Sequence, residues 1–201
     1  MNTDSKSDLL FQTIQSRILS GSLTPGSLLL EQQVAEEFYV GRQTARETLK
    51  RLCQEHYLKS FPRKGYLVTG ITPEECRQIQ CLRYQLESYA IRLAASQASL
   101  QSLKKLDVLL HETDSSSDPR QTANYRFHMA LSELSENPYL VSTLRPLLLD
   151  VCRYAITPLY GGTLPRTDSC HRLILTALKD RDADLACRYL KDDLGLTTEI
   201  L

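Results

Sequence analysis

The chain has 201 residues, of which 42% are hydrophobic and 24% charged, and its formal net charge is zero. This composition predicts one large or two small globular domains and excludes a disordered chain. A net charge of zero excludes a global field that would draw the whole molecule to nucleic acid. Any such attraction must therefore come from charge that is segregated along the chain.

The polar N-terminus and the short apolar runs predict neither a signal peptide nor a membrane span, and hence a cytosolic protein. The cysteines have no CxxC pair among them, which favours buried free thiols in a reducing compartment over a structural zinc cluster. They stand at positions 53, 76, 81, 152, 170 and 187. A thiol nucleophile at Cys170, beside His171, is the weaker alternative because sequence neighbours rarely form such a pair.

The N-terminal part of the chain predicts three helices. The first covers about 7–20 and ends at Gly21 and the Pro25-Gly26 pair, after which a short extended piece follows. The second covers 31–38, and the third runs from about Arg42 to His56 after a turn at Tyr39-Val40-Gly41. Two helices joined by such a turn are the pattern of a helix-turn-helix.

A basic hairpin is predicted to follow the third helix. The strand-like runs 57–61 and 66–69 flank Pro62-Arg63-Lys64-Gly65, which predicts a β-hairpin with a basic tip. Between positions 42 and 64 there are seven Lys or Arg and two acidic residues, so this region carries a local charge of +5. The rest of the chain carries the compensating negative charge.

Arg42, Arg46 and Lys50 recur at four-residue spacing, which places three cations on one stripe of the third helix. For an isolated helix, a solvated surface face is the more ordinary interpretation of such a stripe. The basic hairpin that follows makes DNA binding the favoured interpretation of the stripe. In a winged helix-turn-helix the third helix enters the major groove of DNA while the wing reaches a neighbouring groove or the backbone.

The run LTPGSLLLEQQVAEEFYVGRQTARETLKRLCQEHYLKSFPRKGYLV resembles the DNA-binding domain of the GntR superfamily of bacterial transcription regulators. The match lies in PG-x-x-L, in V-x-R-x-x-x-R-E-x-L and in the closing GYLV. Tyr39 stands where the family usually has a turn glycine, and Gly41, Gln43 and Thr44 also depart from its pattern, so the base sequence that is read stays open. The stripe and the wing predict operator DNA contacts at Arg42, Arg46, Lys50, Arg63 and Lys64, and the resemblance implies further contacts at Gln32, Gln43 and Gly65.

Beyond Gly70 the pattern is helical throughout. Thr72 and Pro73 mark a helix start, and the helix runs to about Ser96. Its apolar face carries Ile79, Leu82, Leu86, Tyr89, Ala90 and Leu93. Further helices are predicted near 100–112, 119–135, 138–157, 167–180 and 182–194. The predicted fold is therefore mainly α, with a winged helix-turn-helix over 1–70 and an all-α antiparallel helical bundle over 71–201.

Four polar residues among apolar positions of the bundle could hold a divalent metal. Asn124 and His128 share a helix face, His171 precedes an apolar stripe, and Asp193 lies near the end of the last helix. Imidazole ligands favour metals such as zinc, nickel or manganese over calcium. On spacing alone, a histidine on an apolar face is more often a core residue than a ligand.

Residues 77–197 resemble the FCD effector domain of the FadR branch of that superfamily. The resemblance lies in LR-x-x-LE from Leu82, in FH-x-x-L from Phe127 followed by ENP, and in HR-x-I from His171. Members commonly bind a metal through one Asp and three His. Asn124 stands at the position of that Asp and Asp193 at that of the last His, so either the carboxylate has moved between helices or the site has decayed.

Arg83 has two open interpretations. It can form a surface ion pair with Glu87 one turn away, or, as the FCD resemblance implies, it can face the pocket and bind a carboxylate effector through two hydrogen bonds. Arg153 and Tyr154 on a later helix are further candidates for lining the effector cavity.

The sequence predicts a bacterial ligand-responsive transcription regulator, not an enzyme, that binds double-stranded operator DNA as a homodimer. A small organic-acid effector, with or without a metal, would shift operator affinity. The alternative from another class is a metal-dependent hydrolase or lyase in the helical domain, although no metalloenzyme motif such as HExxH is present. A repressor without metal or ligand is a third possibility.

Overall fold

The structure is a computed structural model that describes residues 5–111, 118–157 and 168–196. The described residues contain nine α-helices, three short strands and one 3₁₀ turn, which confirms the predicted fold class. The helices are α1 Lys6–Leu19, α2 Glu31–Glu37, α3 Arg42–Gln54, α4 Pro73–Gln97, α5 Leu100–Leu109, α6 Ala123–Glu133, α7 Pro138–Ala155, α8 Asp168–Lys179 and α9 Ala183–Asp193. The strands are β1 Leu28–Leu29, β2 Leu58–Phe61 and β3 Gly65–Val68, and the 3₁₀ turn is Pro119–Gln121.

The described chain divides into two compact units. The first contains the residues up to Thr72 together with Ile156 and Thr157, and the second contains the residues from Pro73 to Ala155 and those from position 168 onwards. Among the described helices, none combines the length and the hydropathy that a membrane span requires.

The sheet of the N-terminal unit is antiparallel, in the order β1-β3-β2. The hairpin of β2 and β3 pairs Leu58 with Val68 and Phe61 with Gly65. On the other edge of β3, Leu29 pairs with Tyr66. The sequence indicated only an extended piece at β1, because a two-residue strand has no periodicity of its own and depends on its neighbour.

The three N-terminal helices bury one apolar core with the sheet. Helices α1 and α3 supply residues at three- or four-residue spacing, as an amphipathic helix requires, and α2 supplies Val34. The buried set includes Leu10, Ile14, Ile18, Val34, Ala45, Leu49, Leu52, Tyr66 and Val68. This packing fixes α3 against α1 and α2, and the opposite side of α3 carries exposed polar residues.

Several turns of this unit use the left-handed backbone region, among them the turn before α3 and the wing tip. Tyr39, in the turn between α2 and α3, has a φ of 51° and is 92% exposed. At the wing tip Arg63 has a φ of 63° and Gly65 a φ of 114°. A Cβ on Gly65 would lie 2.6 Å from the carbonyl oxygen of Leu29, so the close approach of β1 requires glycine at this position.

The second unit is a bundle of the helices α4 to α9 around one apolar cluster. Its fully buried members include Ile91, Leu103, Leu106, Phe127, Leu131, Ile174, Leu178 and Leu190. Side-chain caps define several helix starts, since Ser99, Thr122 and Asp182 each accept a hydrogen bond from a backbone N–H in the first turn.

Arg181 joins the turn between α8 and α9 to the end of α4. Its Nη1 donates to the carbonyl oxygens of Ala94 and Ala95 at 3.3 and 3.1 Å, and its Nη2 donates to that of Ala98 at 2.8 Å. The carbonyls of Ala94 and Ala95 lie in the last turn of α4 and that of Ala98 directly follows it, where intrahelical partners run out and a cation is favourable. The side chain therefore caps α4.

The hydrophobic pattern of α4 predicts its buried face only in part, since Ala90 is buried as expected. An apolar face normally packs on a core, but Leu82 is 49% and Tyr89 52% exposed, whereas Gln80, Arg83 and Glu87 are buried. The polar side chains can enter the bundle because they bind one another there. Hydrophobic periodicity alone therefore places Leu82 and Tyr89 in the interior and misses Gln80, Arg83 and Glu87.

Candidate functional site

Three of the four predicted metal ligands meet in the interior of the bundle. His128 comes from α6, His171 from α8 and Asp193 from α9, and all three are buried. His128 Nε2 lies 3.1 Å from Asp193 Oδ2, and His171 Nε2 lies 3.3 Å from Asp193 Oδ1. One ligand atom from each residue lies within 4.8 Å of the other two.

The donor set and its spacing fit a divalent metal. Atoms bound at about 2.0–2.2 Å lie roughly 3.3 Å apart around a tetrahedral ion and about 3.0 Å apart around an octahedral one. His128 Nε2 and both carboxylate oxygens of Asp193 make no directed hydrogen bond within the described part of the chain, although all are buried. Buried polar atoms rarely lack a hydrogen-bond partner. Two imidazoles and a carboxylate suit zinc, nickel or manganese.

Asn124, the fourth predicted ligand, lies on α6 one turn before His128 and is half-buried. Helical spacing places it on the same side of α6 as His128. Its amide oxygen is a neutral donor, weaker toward a cation than the carboxylate that the FCD pattern has there. Asp193 supplies the carboxylate among the three described residues that meet, His128, His171 and Asp193.

Glu87 completes the site and was not predicted as part of it. Its Oε2 lies 2.5 Å from His128 Nδ1, and its Oε1 accepts a hydrogen bond of 2.8 Å from Arg83 Nε. With Nδ1–H donating to Glu87, the lone pair of Nε2 is free to face Asp193 and a metal. The spacing of Gln80, Arg83 and Glu87, at i, i+3 and i+7, is the sequence signal that could have identified this buried polar stripe.

Electrostatics hold the buried acids charged. Burial alone would raise the pKa of Glu87, but Arg83 and His128 outweigh that effect, so its pKa lies below its ordinary value. Burial likewise opposes the ionisation of Asp193, yet the two imidazoles beside it lower its pKa strongly. Burial would lower the pKa of His128, but the carboxylate of Glu87 raises it. The cluster therefore retains two carboxylates as ligands or hydrogen-bond acceptors.

Ring packing fixes the orientation of the second imidazole. Phe127 and His171 stack with their centroids 3.9 Å apart and an interplanar angle of 15°. His128 meets His171 edge to face at 5.1 Å. The side chains that would hold a metal are thus positioned by packing as well as by hydrogen bonds, which lowers the entropic cost of binding an ion.

Arg83 is part of the same buried network, so the surface ion pair considered from the sequence is wrong. The pair with Glu87 does form, but the side chains of Arg83 and Glu87 are only 1% and 0% exposed. Arg83 Nη1 donates to Gln80 Oε1 at 2.8 Å. Its Nη2 is buried without a hydrogen-bond partner among the described residues. A guanidinium with an unused buried donor is a suitable group for an anionic ligand.

The two other predicted effector contacts lie on α7 and differ from each other in burial. Arg153 is buried, and its Nη1 donates to Asp150 Oδ1 at 2.7 Å. Tyr154 is half-buried. Whether either residue contacts an effector stays a prediction.

All six cysteines lie in described residues and are free, but only Cys76 and Cys187 are buried, whereas the other four are partly exposed. Burial raises the pKa of Cys152 to about 11 and also raises that of Cys170. A thiol with a raised pKa carries little thiolate at neutral pH. These values favour inert thiols, including the one next to His171.

On α3, the residues predicted to contact DNA fall into two groups. Arg42, Gln43 and Lys50 are exposed, and Gln43 donates to Glu47 at 2.7 Å. Arg46 is instead held by Glu31 at the start of α2. Its Nε lies 3.0 Å from both carboxylate oxygens and its Nη2 lies 2.9 Å from Oε2.

Tyr66 on β3 also donates a hydrogen bond to Glu31, at 3.1 Å. Glu31 therefore links α2, the recognition helix α3 and the wing strand. The side chain of Arg42 lies at the edge of this group, with its Nε 3.9 Å from Glu31. Arg46 and Tyr66 lower the pKa of Glu31 against the effect of its partial burial. The carboxylate is thus ionised at neutral pH.

The remaining predicted DNA contacts lie on α2 and on the wing. Gln32 is exposed and donates to Glu36 at 2.9 Å. Arg63 and Lys64 are exposed at the wing tip. Gly65 is required by the packing of β1 described above, so its presence needs no contact with DNA.

A winged helix-turn-helix followed by a helical bundle with a buried polar centre defines the class of the protein as a DNA-binding transcription regulator. Residues 6–68 match the bacterial regulatory proteins of the gntR family, and residues 78–195 match the FCD domain. The chain belongs to this family, in the branch that carries an FCD domain. This confirms the resemblance found in the sequence.

Curated relatives bear regulator names. The HTH-type transcriptional regulator McbR of Escherichia coli K12 is 26% identical over 184 residues, which cover 88% of this chain and 83% of McbR. The gluconate operon transcriptional repressor of Bacillus licheniformis is 25% identical over 193 residues, which cover 88% of this chain and 77% of the repressor.

Solved structures show the same fold. That of E. coli McbR/YncC has a TM-score of 0.73 at 22% identity and covers 96% of this chain and 94% of its own. That of Lar, which controls expression of the Listeria monocytogenes agr system, has a TM-score of 0.62 at 20% identity and covers 98% and 96%.

Proposed function

We propose that this protein is a cytoplasmic, ligand-responsive regulator that binds operator DNA as a homodimer through its N-terminal unit and a small carboxylate through its bundle. The observation that carries the proposal is the buried network from Arg83 through Glu87 and His128 to Asp193 and His171. Burying so many charged groups costs stability unless they are paired. A binding site for an anion and a cation would account for a network of charged groups in the interior of the bundle.

The cation in this proposal is a divalent metal held by His128, His171 and Asp193, with Asn124 as a candidate fourth ligand. The ion would supply a fixed positive charge that attracts a carboxylate. Glu87 holds the ring of His128 through Nδ1, and Phe127 holds the ring of His171 by stacking. These two residues keep the ligand atoms aimed at one point.

The anion in this proposal is a small carboxylate that accepts hydrogen bonds from Arg83. The unused Nη2 of Arg83 supports this assignment, because the rest of that guanidinium is already bound by Gln80 and Glu87. A relative that represses a gluconate operon is consistent with it, since gluconate carries a carboxylate. Arg153 and Tyr154 on α7 are candidate further contacts.

Regulation would follow from linkage between the two units. An effector shifts operator affinity only if it binds two states of the protein with different affinities. The exposed cations of α3 and of the wing, Arg42, Lys50, Arg63 and Lys64, would neutralise phosphates. Gln43 and Gln32 are candidate base contacts, and a homodimer would present two recognition helices to a palindromic site.

Thermal unfolding with added ligands tests the bundle site. Zinc, nickel or manganese at 100 times its dissociation constant should stabilise the chelator-treated protein by about 2.7 kcal/mol. Asp193→Asn should lose this stabilisation, because it removes the carboxylate from the three proposed ligands His128, His171 and Asp193. Asp192→Asn is the matched control, since Asp192 is the exposed neighbour and should respond like the wild type. Equal stabilisation of both variants would contradict the metal assignment.

A second arm of that experiment screens small carboxylates. Arg83→Lys preserves the charge but removes the planar donor fork, so a carboxylate that stabilises the wild type should bind at least roughly tenfold more weakly. Arg92→Lys is the control on the exposed side of α4. A carboxylate that binds Arg83→Lys as tightly as the wild type would remove Arg83 from the effector site.

A further inference from the structure

Tyr39 follows α2 in a backbone conformation that glycine usually provides. Its N–H donates to the carbonyl oxygen of Glu36 at 3.4 Å, and the N–H of Val40 donates to that of Ala35 at 3.1 Å. These two hydrogen bonds form a Schellman motif, in which the residue at the position of Tyr39 is left-handed and most often glycine. Tyr39 takes this conformation with a φ of 51°. A tyrosine here therefore costs stability that a glycine would not cost.

The side chain of Tyr39 does not offset this cost by packing. It is 92% exposed, the largest fraction among the exposed large hydrophobic side chains of the described residues. An exposed tyrosine and a residue of positive φ are each ordinary when they occur alone. Together they mean that neither packing nor backbone energy favours tyrosine in the free protein. Strained residues of this kind cluster at sites that bind a ligand.

Tyr39 lies at the end of α3 that a helix-turn-helix inserts into DNA. Arg42, the first residue of α3, is three positions away, so the two Cα atoms lie no more than about 11 Å apart. In this class of domain the N-terminal residues of the recognition helix contact base edges. Each strand of the duplex carries a phosphate about every 3.4 Å along its axis. A residue so close to the first turn of α3 therefore lies near the phosphate backbone.

We propose that Tyr39 contacts the DNA backbone, with its hydroxyl donating a hydrogen bond to a phosphate oxygen and its ring packing on the adjacent deoxyribose. Tyrosine is among the side chains that contact phosphates in protein–DNA complexes. The contact covers a ring that is exposed in the free protein. This inference rests on the proposed operator binding and adds to it a backbone contact that carries no charge.

The charges around Tyr39 favour DNA as its partner. The region from position 42 to 64, which begins three residues later, carries a local charge of +5. The acidic residues that precede Tyr39 are already bound, since Glu36 accepts a hydrogen bond from Gln32 and Glu37 pairs with Arg17. A phosphate is therefore attracted to this end of α3. If a protein were the partner instead, substitutions at Tyr39 would leave the affinity for DNA unchanged.

The first test measures the affinity of the full-length protein for a duplex that the wild type has selected from a random library. Tyr39→Phe removes only the hydroxyl and should weaken binding by roughly fivefold, the value of an ordinary hydrogen bond. Because the hydroxyl carries no charge, the slope of log affinity against log salt should not change, whereas Lys50→Gln should reduce that slope by about 0.9. Tyr139→Phe is the matched control, since Tyr139 is an 82% exposed tyrosine on α7 and its variant should bind like the wild type.

Tyr39→Gly separates a DNA contact from a role in folding. This variant should unfold at a higher temperature than the wild type, because glycine relieves the strained turn. It should nevertheless bind the selected duplex roughly tenfold more weakly, because the hydroxyl and the ring are both lost. A residue that acted only through the fold would change stability and affinity in the same direction.

Ethylation interference locates the contact on the DNA. Ethylation of a phosphate that a protein contacts weakens binding, so one phosphate for each DNA-binding unit should interfere with the wild type and not with Tyr39→Phe. Binding of Tyr39→Phe as tight as that of the wild type, or an identical interference pattern, would overturn the proposal. A wild type that selects no duplex at all would instead refute the proposed operator binding, and with it this contact.

Discussion

The two units of the protein each contain an arginine held by a glutamate, in opposite surroundings. Arg46 and Glu31, in the N-terminal unit, keep 43% and 19% of their side chains exposed. Arg83 and Glu87, in the bundle, keep 1% and 0%. The first pair remains in contact with water and can exchange partners at low cost, whereas the second is shielded from water by the bundle.

This difference indicates what each pair can do. A half-exposed arginine next to exposed cations can transfer from a glutamate to a DNA phosphate, because both are anionic acceptors of similar geometry. A buried arginine cannot leave its glutamate without stranding a charge. It can only add a further partner, such as a carboxylate at its unused donor.

The largest effect is expected from breaking the buried pair. Glu87→Ala leaves Arg83 and His128 without their shared acceptor and should destabilise the bundle by about 3–5 kcal/mol. Urea unfolding followed by circular dichroism measures this loss. Glu74→Ala removes an exposed carboxylate from the same helix and should leave the unfolding midpoint nearly unchanged. Equal midpoints for the two variants would show that burial does not distinguish them.

A smaller effect is expected from breaking the exposed pair. Glu31→Gln removes the anion that competes with phosphate for Arg46, so the plot of log affinity for DNA against log salt should become steeper by about 0.9. Glu36→Gln makes the same change of net charge on α2, at a carboxylate that binds Gln32 rather than an arginine. If both variants steepen the plot equally, net charge and not the pair is responsible.

The same variant predicts a pH dependence of stability. The pKa of Glu31 is lowered in the folded state from its ordinary 4.5, so its contribution is present above pH 4.5. This contribution to stability is lost as the pH falls through the lowered pKa of Glu31 in the folded state. The wild type should therefore be slightly more stable than Glu31→Gln at neutral pH, and the difference should disappear in acid.

The smallest effect concerns the turn before the recognition helix. Tyr39 has a φ of 51° and an exposed ring, so the loss of stability that it causes comes from its backbone conformation. Tyr39→Gly and Tyr39→Ala both remove the ring, but only alanine keeps the strain, so the glycine variant should be the more stable by up to about 1 kcal/mol. Thermal unfolding compares them. A more stable alanine variant would mean that this turn is not strained.

The sequence predicted the N-terminal unit in nearly all its elements, because its signals are local. Pro25-Gly26, the basic hairpin tip and the amphipathic spacing of α3 each act within a few residues. The pairing of β1 with β3 was missed, since it joins Leu29 to a tyrosine far along the chain. Long-range pairing leaves no periodicity in a strand of two residues.

In the bundle, the sequence identified the candidate ligands but placed Leu82 and Tyr89 of α4 in the interior, where the structure has Arg83 and Glu87. His128, His171 and Asp193 come together as the resemblance implied. Glu87 was taken only as a possible partner of Arg83. Hydrophobic periodicity indicates which face of a helix is apolar. It does not indicate whether that face packs on the core of its own chain or on another chain. A stripe of polar side chains can be buried in a core when its charged groups pair with one another.

The cap that Arg181 forms on α4 connects the turn between α8 and α9 to the C-terminal end of α4. His171 precedes this arginine on α8 and Asp193 follows it on α9, so both lie on one hairpin whose tip grips the last turn of α4. A ligand that draws the hairpin inward would pull on that turn through three hydrogen bonds. The hydrogen bonds of Arg181 would thus couple the buried site to the C-terminal end of α4.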